Sequence, residues 1–395
     1  MINQEKYLFE KISKTCLDIK KKVKLKNIGL HEPYLSNEEI STCSKTISKG
    51  YVSTFGKDIA KFESKLKKFL KCKYVILTNS GTSAMHALLI SIGIEKNDEV
   101  LVPSLTFVGT VNPILYLNAI PNFVDIDLAN HSVCPLKLEE YLKKNTYQKK
   151  NKCYNKNSKR IIKALIVVHI FGQIGEIHDL RKVSKKFNLK LIEDGAESFG
   201  STYLNKHAGN FGDAGILSFN GNKIITTGAG GAILTNDISI AVKASHISST
   251  SKVNFPYIFY HDQIGYNYRM ANINASLGIS QLNKINFFLN SKKELNKKYD
   301  DFFKNIDGVE IMRASKKNSS NYWLNCLSLK KPNYKLINKL NLYLNKKGFG
   351  VRPFWNPIHT FNFCKKFPKD DLTNTIIAYN SCLTLPSSVF LNEKI

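Results

Sequence analysis

The fold is decided by the stretch IIKALIVVHIFGQIGEIHDLRKVSKKFNLKLIEDGAESFG, residues 161–200. It contains two apolar runs, ALIVVHI and KLIED, and an amphipathic helical segment lies between them. Strands that are apolar along their whole length and polar at their ends are typical of strands covered by helices on both faces. The stretch therefore predicts a strand–helix–strand unit of a parallel sheet with a right-handed crossover.

The same alternation extends toward the N-terminus. Residues 55–93 predict a helix, the short strand YVILTN, a turn and a second helix, and residues 98–127 predict a strand, a loop, a helix and a strand. The lysine-rich segment 143–160 interrupts this order and is expected to be an exposed loop. In an open sheet of this type, ligands bind beyond the carboxyl ends of the strands.

These patterns predict an α/β protein with two domains. Residues 51–290 are expected to form a large domain, in which helices flank a mostly parallel sheet, and residues 291–395 a smaller C-terminal α+β domain. Residues 1–50 are expected to be a helical segment that packs on the small domain.

Composition excludes some classes of protein. With 395 residues and 43% hydrophobic content the chain can bury a large core, so a disordered or fibrous protein is not expected. The net charge of +27 would attract polyanions, but the lysines are scattered and no nucleic-acid motif is present, so lysines on solvated surfaces are the favoured explanation of the charge. Eight cysteines without a CxxC pair argue against a metal site, and the absence of a long apolar run argues against a membrane span. The protein is expected to work in the cytoplasm.

Two polar motifs stand where predicted strands end. In TNSGTSAMHALL, residues 78–89, a strand gives way to Ser-Gly-Thr and a helix, which is a phosphate-binding arrangement or an ordinary N-cap. Asp194 ends the strand KLIED, where a buried carboxylate needs a cation or hydrogen-bond donors to stay charged. A pyridinium nitrogen is one such partner, and a capping aspartate is the alternative.

The third motif is SFNGNKIITTGAGGAILTND, residues 218–237, which contains a single lysine, Lys223; its later part TTGAGGAILTND, residues 226–237, predicts a hairpin. A lysine held in a crowded pocket loses solvation, its pKa falls, and its free amine can form a Schiff base with a carbonyl. Any one lysine in so lysine-rich a chain is otherwise a surface residue. The order of Ser-Gly-Thr, an aromatic residue, Asp194 and then Ser-x4-Lys favours the nucleophile.

This order of motifs resembles that of the pyridoxal-phosphate-dependent aminotransferases of the DegT/StrS class, which act on nucleotide-linked keto sugars and have the type I aspartate aminotransferase fold. The resemblance covers residues 31–388 and rests on TNSGTSAMHALL, PSLTFVGT, VHIFGQ, IEDGAESFGS, SFNGNKIITTGAGG and GYNYRM. Together with RPFWNPIH and LPSS, the lysine motif is most similar to the branch that aminates the 4-keto group of UDP-2-acetamido-2,6-dideoxy-hexos-4-ulose. The implied amino donor is L-glutamate, and the implied product is a UDP-4-amino sugar for legionaminic-acid-type or bacillosamine-type surface glycans.

The resemblance also implies roles for individual residues. Lys223 matches the catalytic lysine that bonds to the cofactor and moves the proton, and Asp194 matches the carboxylate that keeps the pyridine nitrogen protonated. Phe107 matches the aromatic residue that stacks on the cofactor, and His169 lies near the cofactor in the family. The other implied cofactor contacts are Gly81, Thr82, Ser218, Glu197 and, from the partner subunit of a homodimer with shared sites, Asn267.

Some features depart from the family or are less specific. Glu197 stands where most relatives have a glutamine bonded to the cofactor's phenolic oxygen, although the most similar branch also has glutamate. The sequence ends where relatives add a final helix, so the small domain is expected to lack that element. Arg352 and His359 of VRPFWNPIH are candidates for nucleotide-sugar contacts, because the planar fork of arginine suits a diphosphate. A surface arginine is the alternative.

Three other functions compete with the aminotransferase. A dehydratase of the same fold would have histidine in place of Lys223, which this sequence retains. A sensor that has kept the fold and lost catalysis would also carry these motifs. A nucleic-acid-binding protein would explain the net charge of +27 but none of the motifs.

Overall fold

The structure, a computed structural model, describes residues 2–395, with side chains from Gln4 onward. Its α-helices are α1 (Ile2–Val23), α2 (Asn37–Ser48), α3 (Lys57–Leu70), α4 (Gly81–Ser91), α5 (Val108–Tyr116), α6 (Pro135–Asn145), α7 (Ile177–Lys186), α8 (Ile238–Ser248), α9 (Asn272–Asn283), α10 (Ile285–Phe303), α11 (Tyr334–Lys346) and α12 (Thr373–Ser381). Short 3₁₀ helices span Ile170–Gly172, Ile358–Thr360 and Val389–Leu391.

Strands lie along the whole chain, and in its first two thirds they alternate with these helices. They are β1 (Tyr74–Thr78), β2 (Glu99–Pro103), β3 (Ile120–Val124), β4 (Thr146–Lys149), β5 (Lys152–Asn155), β6 (Ile161–Val168), β7 (Lys190–Asp194), β8 (Thr202–Tyr203), β9 (Lys206–His207), β10 (Ala214–Ser218), β11 (Gly231–Thr235), β12 (Lys252–Phe255), β13 (Ile258–His261), β14 (Val309–Ile311), β15 (Asn318–Ser319), β16 (Asn325–Leu329), β17 (Arg352–Pro353) and β18 (Cys382–Leu385).

The large sheet confirms the predicted α/β architecture. Its strand order is β1-β11-β10-β7-β6-β2-β3; the pairs from β10 to β3 are parallel, and β11 is antiparallel to both of its neighbours. The central strands are buried on both faces because helices cover both sides, as their continuous apolar runs predicted. The predicted strand–helix–strand unit is β6, α7 and β7.

Segment 143–160 is mostly exposed, as its composition predicted, but it is not a loop. It contains the end of α6 and the antiparallel hairpin β4–β5, and β5 pairs with the start of β6. The reason is that the segment makes contacts with a distant part of the chain. The buried carboxylate of Glu99 accepts hydrogen bonds from Asn155 Nδ2 at 2.9 Å and from Ser158 Oγ at 2.5 Å. The side chain of Cys153 is fully buried. These contacts hold a lysine-rich segment on the sheet.

Residues 1–50 do not pack as one unit on the small domain, so that expectation needs a correction. Helix α1 contributes Ile12, Cys16 and Ile19 to the core of the small domain, whereas α2 lies against α9 of the large domain. The buried carboxylate of Glu39 determines this position of α2, because it accepts hydrogen bonds from Gln281 Nε2 and Lys284 Nζ at 2.9 and 2.5 Å.

The small domain is built on the antiparallel sheet β14-β16-β18-β17 with α10, α11 and α12. Helix α10 links the domains, since Phe288 belongs to the large core and Leu295 and Tyr299 belong to the small core. The boundary at residue 290 therefore falls inside one continuous helix. Between residues 2 and 395, no helix combines the length and the apolar character of a membrane span.

Candidate functional site

A cavity of about 250 Å³, here called the lysine pocket, lies where β6, β7 and β10 end and α4 and α5 begin. This is the edge at which a parallel sheet brings strand ends and helix N-termini together. Most of the predicted site residues line it: Gly81, Thr82, Phe107, Asp194, Glu197, Ser218 and Lys223. A second cavity of about 870 Å³, the outer cavity, adjoins it, and Phe107, Trp323 and Trp355 line both.

Lys223 lies in the loop between the antiparallel strands β10 and β11. The hairpin predicted for residues 226–237 is wrong in its bounds, because these residues form only the end of that loop and β11, whose partners are β10 and β1. Its side chain is 14% exposed, and its Nζ lies 3.7 Å from Glu197 Oε1 and 3.8 Å from the centre of the Trp323 ring. Burial lowers the pKa of the amine, although the charges of Glu197 and Asp194 oppose that shift. A lowered pKa raises the fraction of free amine, the form that attacks a carbonyl.

Asp194 is the last residue of β7 and is buried. Its Oδ2 accepts a hydrogen bond from Thr110 Oγ1 at 2.7 Å, and its Oδ1 accepts one from the Ala196 N–H at 3.1 Å. Burial raises the pKa of the carboxyl despite these donors. A cationic ring nitrogen in the lysine pocket would oppose this effect of burial on the pKa and keep the carboxylate in its charged form.

Glu197 forms the wall of the pocket on the other side of Lys223. Its Oε2 accepts a hydrogen bond from the Phe171 N–H at 2.9 Å, a donor presented by left-handed backbone at Phe171, where φ is 53°. Burial raises the pKa of Glu197 to about 7. This carboxyl can therefore gain or lose a proton near neutral pH, which a glutamine at the same position could not do.

The start of α4 provides a site for an anion. Ser80 is the N-cap, and its Oγ accepts from the Ser83 N–H at 3.1 Å, whereas the N–H groups of Gly81 and Thr82 have no side-chain cap. A Cβ on Gly81 would stand 3.0 Å from the Cβ of Ser218, so glycine permits the helix end to meet the end of β10. Backbone donors, the hydroxyls of Thr82 and Ser218 and a positive helix terminus suit a phosphate group.

Phe107 lines the lysine pocket with much of its surface exposed, and two other predicted residues, His169 and Asn267, line neither cavity. The Phe107 ring is 55% exposed and forms an edge contact with Trp355. His169 is buried behind the pocket, where its Nε2 bonds to Glu193 Oε2 at 2.9 Å. Asn267 is exposed outside both cavities of its own chain.

The two candidates for substrate contacts have different positions. Arg352 lines the outer cavity, where its Nη1 donates to Asn345 Oδ1 at 2.6 Å. His359 lines neither cavity, because its Nδ1 is bonded to Ser104 Oγ at 2.7 Å and its ring lies beside Phe123. Arg352 therefore stands in the wall of the outer cavity, whereas His359 is outside both cavities.

Sequence reasoning missed two aromatic walls of the pocket, Trp323 and Trp355, and the hydroxyl partner of Asp194, Thr110. Thr110 follows the motif residue Phe107 by one helical turn, which is a signal that could have identified it. Trp323 reaches Lys223 from the small domain, so no local pattern could have indicated it.

Most of the chain resembles known proteins. A model of the DegT/DnrJ/EryC1/StrS aminotransferase family matches residues 33–394. A GDP-perosamine synthase of Escherichia coli O157:H7 is 33% identical over 355 residues, which are 89% of this chain and 91% of that protein. A UDP-4-amino-4,6-dideoxy-N-acetyl-beta-L-altrosamine transaminase of Campylobacter jejuni is 30% identical over 363 residues, 91% of this chain and 92% of that protein. The structure of Helicobacter pylori PseC, an aminotransferase of pseudoaminic acid biosynthesis, superposes with a TM-score of 0.82 at 25% identity, covering 93% of this chain and 98% of that one.

Proposed function

Because the chain belongs to the DegT/DnrJ/EryC1/StrS aminotransferase family, we propose that it moves an amino group from L-glutamate to the 4-keto group of UDP-2-acetamido-2,6-dideoxy-hexos-4-ulose. Members of the family are pyridoxal-phosphate-dependent aminotransferases of nucleotide sugars, and the fold is the type I fold of these enzymes. The observation that carries the proposal is the lysine pocket, in which the amine of Lys223, the carboxylate of Asp194 and the N-terminus of α4 meet.

The residues of the lysine pocket fit the cofactor. The N-terminus of α4, with Gly81, Thr82 and Ser218, would hold its phosphate, and Asp194 would pair with its ring nitrogen. When bound, pyridoxal phosphate supplies an aldehyde that takes up amino groups and a ring that accepts electrons. Lys223 then supplies the amine nucleophile and moves the proton at the reacting carbon, while Trp323 and Trp355 restrict the access of water.

The outer cavity supports a nucleotide sugar as the second substrate. It opens from the lysine pocket, so a keto group at the tip of an extended ligand can reach Lys223 while the rest of the ligand remains outside. Arg352 lies in its wall and offers the planar donors that suit a diphosphate. A GDP-linked 4-keto sugar is the second candidate substrate, because the GDP-perosamine synthase is 33% identical to this chain.

A panel of substrates tests the proposal. The purified enzyme is incubated with pyridoxal phosphate, L-glutamate and one of the UDP-, GDP- or dTDP-linked 4-keto-6-deoxy sugars, and mass spectrometry follows the products. We expect the UDP-linked acetamido sugar to be converted to its amino sugar with one equivalent of 2-oxoglutarate. Conversion of the GDP-linked sugar alone would favour the second candidate. If no nucleotide sugar reacts, the proposed function is wrong.

We also propose that the enzyme works in the cytoplasm as a homodimer whose sites are shared between subunits. All eight cysteines are free, which supports a reducing compartment. The antiparallel hairpin β12–β13 carries a row of exposed apolar side chains: Tyr257 is fully exposed, and Phe259 is 82% exposed. An apolar patch of this kind indicates a protein interface. Asn267, the implied contact to the partner's cofactor, follows the hairpin closely in the sequence.

Charges on the hairpin are expected to separate the subunits. In the double variant Tyr257→Asp, Phe259→Asp, two carboxylates would have to be desolvated in the interface, which opposes association. Sedimentation equilibrium should give about twice the 44.7 kDa chain mass for the wild type and the chain mass for the variant. The matched control is Leu342→Asp, at a 65% exposed leucine of α11, which should remain dimeric. A double variant with the mass of the wild type would contradict an interface at the hairpin.

A further inference from the structure

His31 occupies a fixed position between the N-terminal helix α1 and α2. On one side of it, the carbonyl of Leu30 accepts a hydrogen bond from the Ser387 N–H at 2.7 Å. On the other side, the Glu32 N–H donates to Ser388 Oγ at 2.8 Å. The backbone at His31 is therefore held by the small domain, and its side chain lines the outer cavity.

Both nitrogens of the His31 ring lack a partner. Nδ1 and Nε2 are buried, and neither has a hydrogen bond to any residue in the described part of the chain. A buried polar group without a partner costs about 1–3 kcal/mol, and such groups are rare in folded proteins. If His31 had only a structural role, an apolar residue in its place would make the fold more stable. These two ring nitrogens without partners indicate that a ligand in the outer cavity supplies their hydrogen bonds.

The position of His31 relates it to the reacting amine. Its ring centre lies 6.3 Å from that of Trp323, and the Nζ of Lys223 lies 3.8 Å from the ring centre of the same indole. Trp323 lines both cavities, so His31 stands where a ligand leaves the lysine pocket and enters the outer cavity. A nucleotide sugar with its keto group at Lys223 would place its sugar ring near this position.

The charge state of His31 limits what it can bind. Burial and the charges of Lys292 and Lys223 hold the pKa of its imidazole well below the usual range, so the ring is neutral. A neutral imidazole offers one donor and one acceptor. That pair suits a hydroxyl or an amide on a sugar better than it suits a diphosphate, which favours cationic donors.

We propose that His31 is a substrate-binding residue that hydrogen-bonds an uncharged hydroxyl or acetamido group on the sugar ring of the nucleotide sugar. This inference rests on the proposed function and extends it to a residue outside the region matched by the family model, which begins at residue 33. With His31 in this role, the segment before α2 contributes to the choice of the sugar that the enzyme binds.

Isothermal titration of the cofactor-loaded enzyme with paired ligands tests the inference. The pairs are UDP-N-acetylglucosamine against UDP and GDP-mannose against GDP, which differ only by the sugar. For the pair that the wild type binds, His31→Phe should weaken binding of the nucleotide sugar about tenfold and binding of the nucleotide less than twofold, because one or two hydrogen bonds to the sugar are lost. Phenylalanine keeps the ring against Trp323, and His31→Asn, which retains a donor and an acceptor, should restore part of the affinity.

The other outcomes are distinguishable. The control His178→Phe, at an exposed histidine of α7 outside both cavities, should bind every ligand as the wild type does. Equal losses for nucleotide and nucleotide sugar in His31→Phe, or no loss for either, would overturn the role of His31 and leave the proposed function standing. A wild-type enzyme that binds none of the four ligands would overturn both.

Discussion

Replacing Lys223 with alanine is expected to abolish transamination and the visible absorption that pyridoxal phosphate has when it is bonded to a lysine. We propose that the amine of Lys223 is the reactive amine in the lysine pocket, because burial lowers its pKa and its Nζ lies between Glu197 Oε1, at 3.7 Å, and the centre of the Trp323 ring, at 3.8 Å. The loss of both the nucleophile and the proton carrier should lower turnover by at least about 10³-fold. Turnover is measured with glutamate and the keto sugar, and absorption is measured after cofactor is added to the apoenzyme.

The matched control for this experiment is Lys243→Ala. Lys243 is exposed on α8, outside both cavities, so this variant should keep wild-type turnover and the visible absorption. An active Lys223→Ala enzyme would disprove the assignment of the lysine. Loss of absorption with retained cofactor binding would support it, since the phosphate site at α4 does not include the lysine.

The polar residues of the large domain could be predicted because they follow the rules of a parallel sheet. Asp194 ends β7 and Ser218 ends β10, while Gly81 begins the helix after β1. Strand ends and helix starts of this kind share one edge of the sheet, so the order of motifs was sufficient to place them together. The glycines and β-branched residues after Lys223 also indicated a hairpin, but its first strand is β10, which precedes the lysine.

The parts that could not be predicted depend on contacts between distant segments. Trp323 approaches Lys223 from the small domain, and His31 approaches from the segment before α2. The position of α2 depends on the buried carboxylate of Glu39, and that of the β4–β5 hairpin on the carboxylate of Glu99. A buried acid looks like a surface acid in the sequence, because its partners come from elsewhere in the chain.

The contrast between Glu197 and Asp194 indicates how the pocket divides its chemistry. Both are buried carboxyls near Lys223, but Asp194 accepts hydrogen bonds on both oxygens, whereas the Oε1 of Glu197 faces the amine. Asp194 is therefore suited to remain charged against a cation, and Glu197, with a pKa of about 7, to exchange a proton with its neighbour.

Replacing Asp194 with asparagine is expected to lower turnover by at least about 10²-fold while the cofactor remains bound to Lys223. An amide of the same size fits the site beside Thr110 and Ala196, so the fold should be kept. The variant lacks the negative charge that would hold a proton on the ring nitrogen, and removal of one such electrostatic contact commonly costs this much. Single-turnover kinetics with glutamate and the cofactor content of the purified variant are the measurements.

A graded variant distinguishes the charge of Asp194 from its position. Thr110→Val removes the hydroxyl that donates to Oδ2 at 2.7 Å, and this donor lowers the pKa of the carboxyl. Without the donor that pKa rises, so the carboxylate is protonated at a higher pH and the acidic limb of the rate profile should move to higher pH. Above that limb, Thr110→Val should recover most of the wild-type rate, whereas Asp194→Asn should stay impaired at every pH because it has no group to ionise. If Asp194→Asn instead keeps the full rate at every pH, a charged residue at the end of β7 is not required for the reaction.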